Sequence, residues 1–360
     1  MPPTVSIVVP CYNEEERIHF LLGAIFSQTY PRAQMDVTIA DGRSTDRTRE
    51  AIAEFQRIHP DLRLQVVDNH AQVIPAGLNR AMEASSGEII VRLDAHSGPY
   101  PDYVEKIVAA LEADKADNVG GVWEIRPGAE TWAAKSIAVA AAHPLGVGDA
   151  LYRHAKEAAY VDTVPFGGWR RILVEKIGGY DESLLSNEDY EFNARIRRFG
   201  GKIWLDPSIR SVYFARSTFT ALAKQYVRYG FWKWKMLRRY PGTLRWRQAL
   251  PPLFVLSLVV GAVVALVSSA FRGVIAIELL LYFGILEWFA LRAALQRREF
   301  FLVFGLPLAI AVMHMAWGSG FWGSILNSLY QGPSARKGKA PDGTKVEHSK
   351  RNVEDLTNGF

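Results

Sequence analysis

From Ala249 to Phe271 the chain carries no charged residue, and a helix needs only about 20 apolar residues to cross a bilayer. Gly273 to Leu291 is a second apolar stretch, interrupted by Glu278 and Glu287, and a third charge-free run extends from Phe300 to Ala335. The third run is long enough for a span plus an interfacial or re-entrant piece. Just upstream, Lys224 to Arg247 mixes lysines, arginines and aromatic residues with no acid at all. Basic and aromatic residues together suit either nucleic acid or an anionic membrane surface. Their junction with three apolar runs selects the membrane and argues against nucleic acid. Glu278 and Glu287 are costly in lipid and are expected to face other helices or water. Three full crossings would place the basic tail outside, against the positive-inside tendency, so the last run is re-entrant or the tail is an exception.

The 360 residues allow one large domain with an appendage, or two modest domains. The lone cysteine, Cys11, excludes an intramolecular disulfide and a cysteine-based metal cluster. Met1-Pro2-Pro3-Thr4 leads into a short apolar run that meets Glu14-Glu15-Glu16. This pattern lacks the basic region and cleavage site of a secretory signal, so the first half is expected in the cytosol.

Upstream of the apolar runs, about the first 125 residues alternate strand-like and amphipathic helical patterns, as a parallel α/β sheet does. Val5 to Val9, Val37 to Ala40, Leu62 to Val67 and Glu88 to Leu93 read as strands. Glu15 to Gln28, Thr45 to Ile58 and Pro75 to Ala84 read as helices. A further helix follows Pro101, with Asp102 and Glu105 at capping-box spacing. Residues 126 to 186 are less regular, with an Ala-rich stretch from Ala133 to Ala142. Asn187 to Gly200 reads as a helix capped by Asn187, with acids in its first turn and arginines in its last. Ser217 to Arg239 has aromatic and basic faces suited to lying on a membrane.

Four constellations can carry chemistry. Pro10-Cys11-Tyr12-Asn13-Glu14 and Asp41-Gly42-Arg43-Ser44 follow strand ends, where open α/β sheets bind ligands. Tyr12 offers a ring to a base and Asp41 an acceptor to a ribose or base, although Asp41 and Ser44 would equally build a turn. Arg92-Leu93-Asp94-Ala95-His96 ends a strand, and Asp94 with His96 can reach one Mg²⁺ or Mn²⁺ carrying a diphosphate. An isolated pair of this kind is more often a strand end beside a solvated histidine. Asn187-Glu188-Asp189 opens a helix, so a carboxylate there is either a general base or a helix-stabilising charge. Gln225, Arg228 and Tyr229 share one helical face, from which Arg228 could clamp a diphosphate.

Together and in this order, these strings resemble glycosyltransferase family 2, which has the GT-A fold. The resemblance spans roughly residues 4 to 240 and rests on Ser6 to Glu15, Asp41 to Thr48, Asp94-Ala95-His96 and Asn187-Glu188-Asp189. Phe166-Gly167-Gly168-Trp169-Arg170-Arg171 and Tyr226 to Gly230 look most like the family's ExoA-like branch, typified by the glucosyltransferase of succinoglycan assembly. The resemblance implies a Rossmann-like mixed sheet flanked by helices, then an interfacial helix and transmembrane helices. It implies donor-nucleotide contacts from Pro10, Tyr12, Glu14, Asp41, Asn79 and Asp94, with Gln225, Arg228 and Tyr229 closing over the donor. It also implies metal ligation by Asp94 and His96, where the commoner pattern has a second aspartate. Asp189 stands for the catalytic base, with Glu188 beside it near the acceptor, and Gly168 and Trp169 stand for the acceptor site. Gln225, Arg228 and Tyr229 resemble the Q-x-x-R-W segment of processive members, with tyrosine in place of tryptophan.

The expected activity is inverting transfer of a hexose from a UDP-sugar, with UDP-glucose borrowed from the family, onto a polyprenyl-linked saccharide. The expected setting is the cytoplasmic face of the inner membrane, with Mn²⁺ or Mg²⁺ and in the company of other polysaccharide-assembly proteins. The expected division is a catalytic domain over 1–215, an interfacial region over 216–248, a membrane region over 249–331 and a disordered tail over 332–360. Alternatives are transfer directly to polyprenyl phosphate, against which Trp169 argues mildly, and a non-catalytic sugar-nucleotide scaffold. A processive synthase should have more spans than the apolar length here provides.

Overall fold

The computed structural model describes residues 1–330; the tail expected to be disordered lies outside the described residues. Nine strands form one mixed sheet: β1 (Val5–Cys11), β2 (Met35–Asp41), β3 (Arg63–Asp68), β4 (Ile89–Arg92), β5 (Gly98–Pro99), β6 (Asn118–Arg126), β7 (Ala159–Tyr160), β8 (Gly168–Arg170) and β9 (Ile203–Phe214). Their order is β3-β2-β1-β4-β8-β6-β9-β5, with β7 paired to β9. The first four in that order run parallel, and β8 is antiparallel to both β4 and β6.

The helices of this part are α1 (Ile18–Phe26), α2 (Thr48–Ile58), α3 (Ile74–Ala84), α4 (Tyr103–Glu112), α5 (Trp132–Ala142), α6 (Pro144–Val147), α7 (Arg171–Ile177), α8 (Glu188–Arg198) and α9 (Phe219–Arg239). Alternate residues of a strand face opposite sides, and β1 divides its apolar residues accordingly. Val5, Ile7 and Val9 pack with α1, α2 and α4, whereas Val8 packs with α3, α7 and α8. Both faces are covered, which is why the strands read as nearly unbroken apolar runs.

Three helices follow: α10 (Trp246–Ala265), α11 (Ser269–Arg297) and α12 (Leu302–Tyr330). All three are long and apolar enough to cross a membrane. A separate core joins α5, α9, α11 and α12. The α9–α12 seam is close: a Cβ on Gly230 would come within 2.1 Å of Trp317 O, and one on Gly320 within 2.2 Å of Val227 O. Small residues let helix backbones approach in this way. Inside α10, Pro252 lacks the N–H that would otherwise bond Gln248 O. The Trp317 indole N–H on α12 donates to that carbonyl instead, at 3.1 Å. Glu278 takes a 2.5 Å hydrogen bond from Ser257 across α10 and α11, while Glu287 is exposed.

Two caps differ from the sequence expectation. Asp102 precedes α4 without a side-chain cap bond. Its carboxylate pairs with Lys106 at 2.7 Å, and Glu105 accepts from Thr29. Asn187 precedes α8 in the left-handed conformation, φ 66°, and its side chain turns away to donate to Tyr229 O at 3.4 Å.

Candidate active site

Three carboxylates, one from the turn after β4 and two from the start of α8, meet around one buried cation. Arg92, the last residue of β4, is 1% exposed and lies among carboxylates from two distant segments. Its Nη2 donates to Asp94 Oδ1 at 3.1 Å and to Glu188 Oε1 at 3.0 Å, while Nη1 donates to Asp189 Oδ1. Burial opposes the charge of Arg92, but Asp189 and Asp94, with Glu188, outweigh it and hold the guanidinium protonated. One cation against three carboxylates leaves the cluster short of positive charge.

Asp189 shows the result. Its pKa is pushed up to about 7, chiefly by burial, with Glu188 and Asp94 adding to the rise and Arg92 opposing it. The second carboxylate oxygen accepts from Phe166 N–H at 3.2 Å, and Tyr180 OH donates to the first at 3.4 Å. Phe166 has φ 61° and Gly167 φ 86°, so a left-handed turn aims this N–H at the carboxylate. A Cβ on Gly167 would meet Asn118 Oδ1 at 2.4 Å, which reserves that position for glycine. The Asp189 side chain keeps 19% of its surface exposed, and it lines a cleft of roughly 790 Å³.

Asp94, His96 and Glu188 line the same cleft, as do Gln225, Arg228 and Tyr229. His96 Nδ1 lies 2.9 Å from Glu14 Oε1, tying the β1 turn to the turn after β4. Burial works against a charged His96 ring, but the Glu14 hydrogen bond and the nearby Asp94 charge together raise its pKa. With Nδ1 held, Nε2 is the nitrogen left for a metal. Among the described residues no group of three His, Cys, Asp or Glu side chains is arranged to hold an ion by itself. One carboxylate and one imidazole nonetheless fit a Mn²⁺ or Mg²⁺ that draws its other ligands from phosphate and water. Gln225 Nε2 donates to Tyr229 OH at 2.9 Å and to Tyr213 OH at 3.2 Å, joining α9 to β9.

Several expected site residues are placed elsewhere. Trp169 is 0% exposed, packed against Tyr180 and Phe192, so it presents no face to an acceptor sugar. Gly168 is buried in β8 beneath α4, where a Cβ would strike Ile107 Cγ2 at 2.5 Å. Asn79 spends its amide on the loop after α7, donating to Tyr180 O and Glu182 Oε1, both at 2.9 Å, and accepting from Tyr180 N. Both of its amide N–H groups are thereby committed to that loop. Asp41 is fully buried, accepting from Ser44 Oγ at 2.6 Å and Arg49 Nε at 2.6 Å. It builds the turn, and Pro10 is buried at the end of β1. Tyr12 and Glu14 remain partly exposed at that strand end.

Sequence reasoning gave no role to Arg92, Phe166 or the cleft arginines Arg153 and Arg216. A charged residue closing the run Ile89-Ile90-Val91-Arg92 was the available signal for the first. The others come from segments whose spacing says nothing about the cleft. The cleft itself extends past Tyr229 to Leu250, Phe254 and Trp317 on α10 and α12.

Residues 6–178 match the family model described as glycosyl transferase family 2. The chain is 32% identical over 326 residues to succinoglycan biosynthesis protein ExoA of Rhizobium meliloti (strain 1021), covering 89% of this chain and 94% of that protein. It is 26% identical over 335 residues to a dolichyl N-acetyl-alpha-D-glucosaminyl phosphate 3-beta-D-2,3-diacetamido-2,3-dideoxy-beta-D-glucuronosyltransferase of Methanococcus voltae, covering 91% and 99%. Among solved structures it resembles a mannosyltransferase of Pyrobaculum calidifontis in complex with GDP-Man and Mn²⁺. The TM-score is 0.63 at 19% identity, over 91% of this chain and 88% of that one. That likeness places the fold among GT-A structures.

Proposed function

The chain belongs to glycosyltransferase family 2, and from that premise we propose that it moves a hexose from a UDP-sugar onto a lipid-linked saccharide, with inversion, at the cytoplasmic face of the inner membrane. The coarser statement, a glycosyltransferase using nucleotide sugars in polysaccharide or lipid-linked glycan synthesis, follows from the family and the full-length relatives. The observation that carries the finer one is the placement of Asp189. A carboxylate with a raised pKa sits on the same cleft wall system as Asp94 and His96, and the cleft opens onto α10 and α12.

Asp189 takes the proton of the attacking hydroxyl, and its pKa near neutrality suits that task. Arg92 and the Phe166 N–H hold the carboxylate in place, and Glu188 orients the acceptor beside it. Attack on the face opposite the departing UDP inverts the anomeric carbon, so an α-linked donor gives a β-linked product. Arg228 and Arg216, both on the cleft wall, offset charge on the departing diphosphate. Asp94 and His96 would hold a divalent ion, which supplies Lewis-acid neutralisation of the same group. Residues 1–215 then form the catalytic domain and 249–331 the membrane anchor, with the 216–248 segment between them.

Direct transfer to polyprenyl phosphate is the second reading. The sequence argument against it was an acceptor-stacking Trp169, and burial of that ring removes it. UDP release by full-length protein in nanodiscs, with membrane lipid extract or undecaprenyl phosphate as acceptor, separates the two. Turnover needing the extract and lost in Asp189→Asn supports the saccharide acceptor. Turnover with undecaprenyl phosphate alone supports the second reading. Metal-dependent UDP binding without turnover under either condition points to the scaffold.

A further inference from the structure

Arg153 sits where a cation is expensive. It is 8% exposed, and among the described residues no aspartate or glutamate forms an ion pair with it. Its neighbours are rings: the guanidinium carbon lies 5.0 Å from the centroid of Trp123, 5.4 Å from Tyr152 and 5.9 Å from Tyr213. Removing a charge from water without a counter-ion costs several kcal/mol, and contacts with ring faces return roughly 0.5–2 kcal/mol each. Among the described residues, Nη1 alone of the Arg153 nitrogens meets a protein acceptor, Ala141 O at 3.2 Å. That bond closes the end of α5, a task lysine performs at helix ends as well. The remaining donors belong to a residue that lines the cleft. Beside it the Trp123 indole N–H is buried without a partner among the described residues.

The cleft combines unlike surroundings. Asp94, Glu188 and Asp189 make one pole around Arg92. Arg153 and its rings come from β6, the segment after α6, and β9. The same cleft is also lined by Leu250, Leu253 and Phe254 of α10, a helix apolar enough to cross a membrane. A guanidinium with no carboxylate partner among the described residues, in a cleft that also holds a catalytic pole and apolar α10 side chains, complements a ligand with an anionic head and a hydrocarbon tail.

We infer that Arg153, with its box of Trp123, Tyr152 and Tyr213, is the subsite for the phosphate-bearing head of the acceptor lipid, whose prenyl chain leaves along α10. This rests on the reading that the acceptor is lipid-linked. Guanidinium suits the role because its planar fork pairs with phosphate through two parallel hydrogen bonds. The box holds the fork in place, so little side-chain entropy is lost on binding.

The test is binding, not turnover, on the full chain in nanodiscs. Undecaprenyl diphosphate, undecaprenol and inorganic pyrophosphate are offered in turn, and UDP with Mn²⁺ forms a separate arm. Wild type is compared with Arg153→Gln and Arg153→Lys, with thermal unfolding as the folding control. Undecaprenyl diphosphate affinity should fall about tenfold or more in Arg153→Gln, the worth of a lost charge-assisted contact. It should fall by less in Arg153→Lys, while UDP affinity stays within about twofold. Undecaprenol should bind more weakly and be indifferent to both variants. An equal loss of UDP affinity would assign Arg153 to the donor and overturn the inference. So would pyrophosphate binding as tightly as the lipid with the same loss, or undiminished lipid binding in a folded variant. Should Arg153→Gln not fold, unchanged lipid affinity in Arg153→Lys would overturn it alone. If the glycosyl-transfer reading itself fails, wild type loses the UDP arm and the lipid arm still reports on Arg153.

Discussion

Arg92 at the end of β4 and Asp189 in the first turn of α8 are 97 residues apart in sequence and joined by a buried ion pair. The pair holds the carboxylate in the cleft, and Arg92 also carries Asp94 and Glu188. A single guanidinium thus links the turn after β4, which bears the metal candidates, to the helix that bears the candidate base.

Replacing Arg92 with methionine leaves those carboxylates facing one another without a counter-charge. Breaking a buried pair from one side costs about 3–5 kcal/mol, so the thermal midpoint of Arg92→Met should drop markedly. Arg92→Lys keeps a charge without the fork and should fall between wild type and methionine. Thermal unfolding in detergent measures both, and a methionine variant as stable as wild type would refute the pairing.

The pH profile should report Asp189. Its pKa is raised to about 7 by burial, so the carboxyl keeps its proton below that point and cannot accept another. Activity should therefore rise with pH through about 7 and be lost on the acid side. Asp189→Asn should lower kcat by about 10²–10⁴ and abolish that limb. An unchanged limb in the residual activity of the variant would assign it to another group.

Chelation tests the Asp94 and His96 pair. UDP binding should weaken with EDTA and return with Mn²⁺. Asp94→Asn should lose that response, since it removes the anionic ligand, whereas the Mn²⁺ concentration needed should rise in His96→Ala. Calorimetric titration of UDP at several Mn²⁺ concentrations checks this, and an identical titration in both variants would remove them from the metal site.

Trp169 separates a packing residue from a binding one. It lies in the core with Tyr180 and Phe192, so Trp169→Phe should lower stability by about 1–3 kcal/mol through lost packing. The KM for acceptor should stay unchanged. A raised acceptor KM at unchanged stability would return the residue to the acceptor site.

The α9–α12 seam admits no side chain at Gly230. Gly230→Leu should force the helices apart at a cost of about 1–3 kcal/mol. Because Gln225, Arg228 and Tyr229 ride on α9, kcat should fall with it. Unfolding and UDP-release assays on the same preparation show whether the two losses travel together.

The sequence by itself determined the first strands, several helices and the three apolar runs, because these follow from local pattern. Buried parallel strands must be largely apolar, and a helix apolar enough to cross a membrane needs a long run of apolar residues, so Val5–Cys11, Ile89–Arg92 and the run 249–271 announce themselves. Asp94, His96, Glu188 and Asp189 were legible as a joint pattern around the ends of such elements. Tertiary structure decided what each side chain faces. Asp41 and Asn79 stand at ligand-facing strand and helix positions, yet Arg49 and the loop at Tyr180 consume their hydrogen-bonding groups. Trp169 lies in a Gly-rich string that suggests an exposed loop, but β8 enters the middle of the sheet and takes the ring into the core. Arg92 gains its meaning chiefly from partners nearly a hundred residues away, and Arg153 from the lack of a carboxylate partner among the described residues. Spacing along a chain encodes which face a residue occupies, whereas burial and charge balance depend on what the rest of the chain brings opposite it.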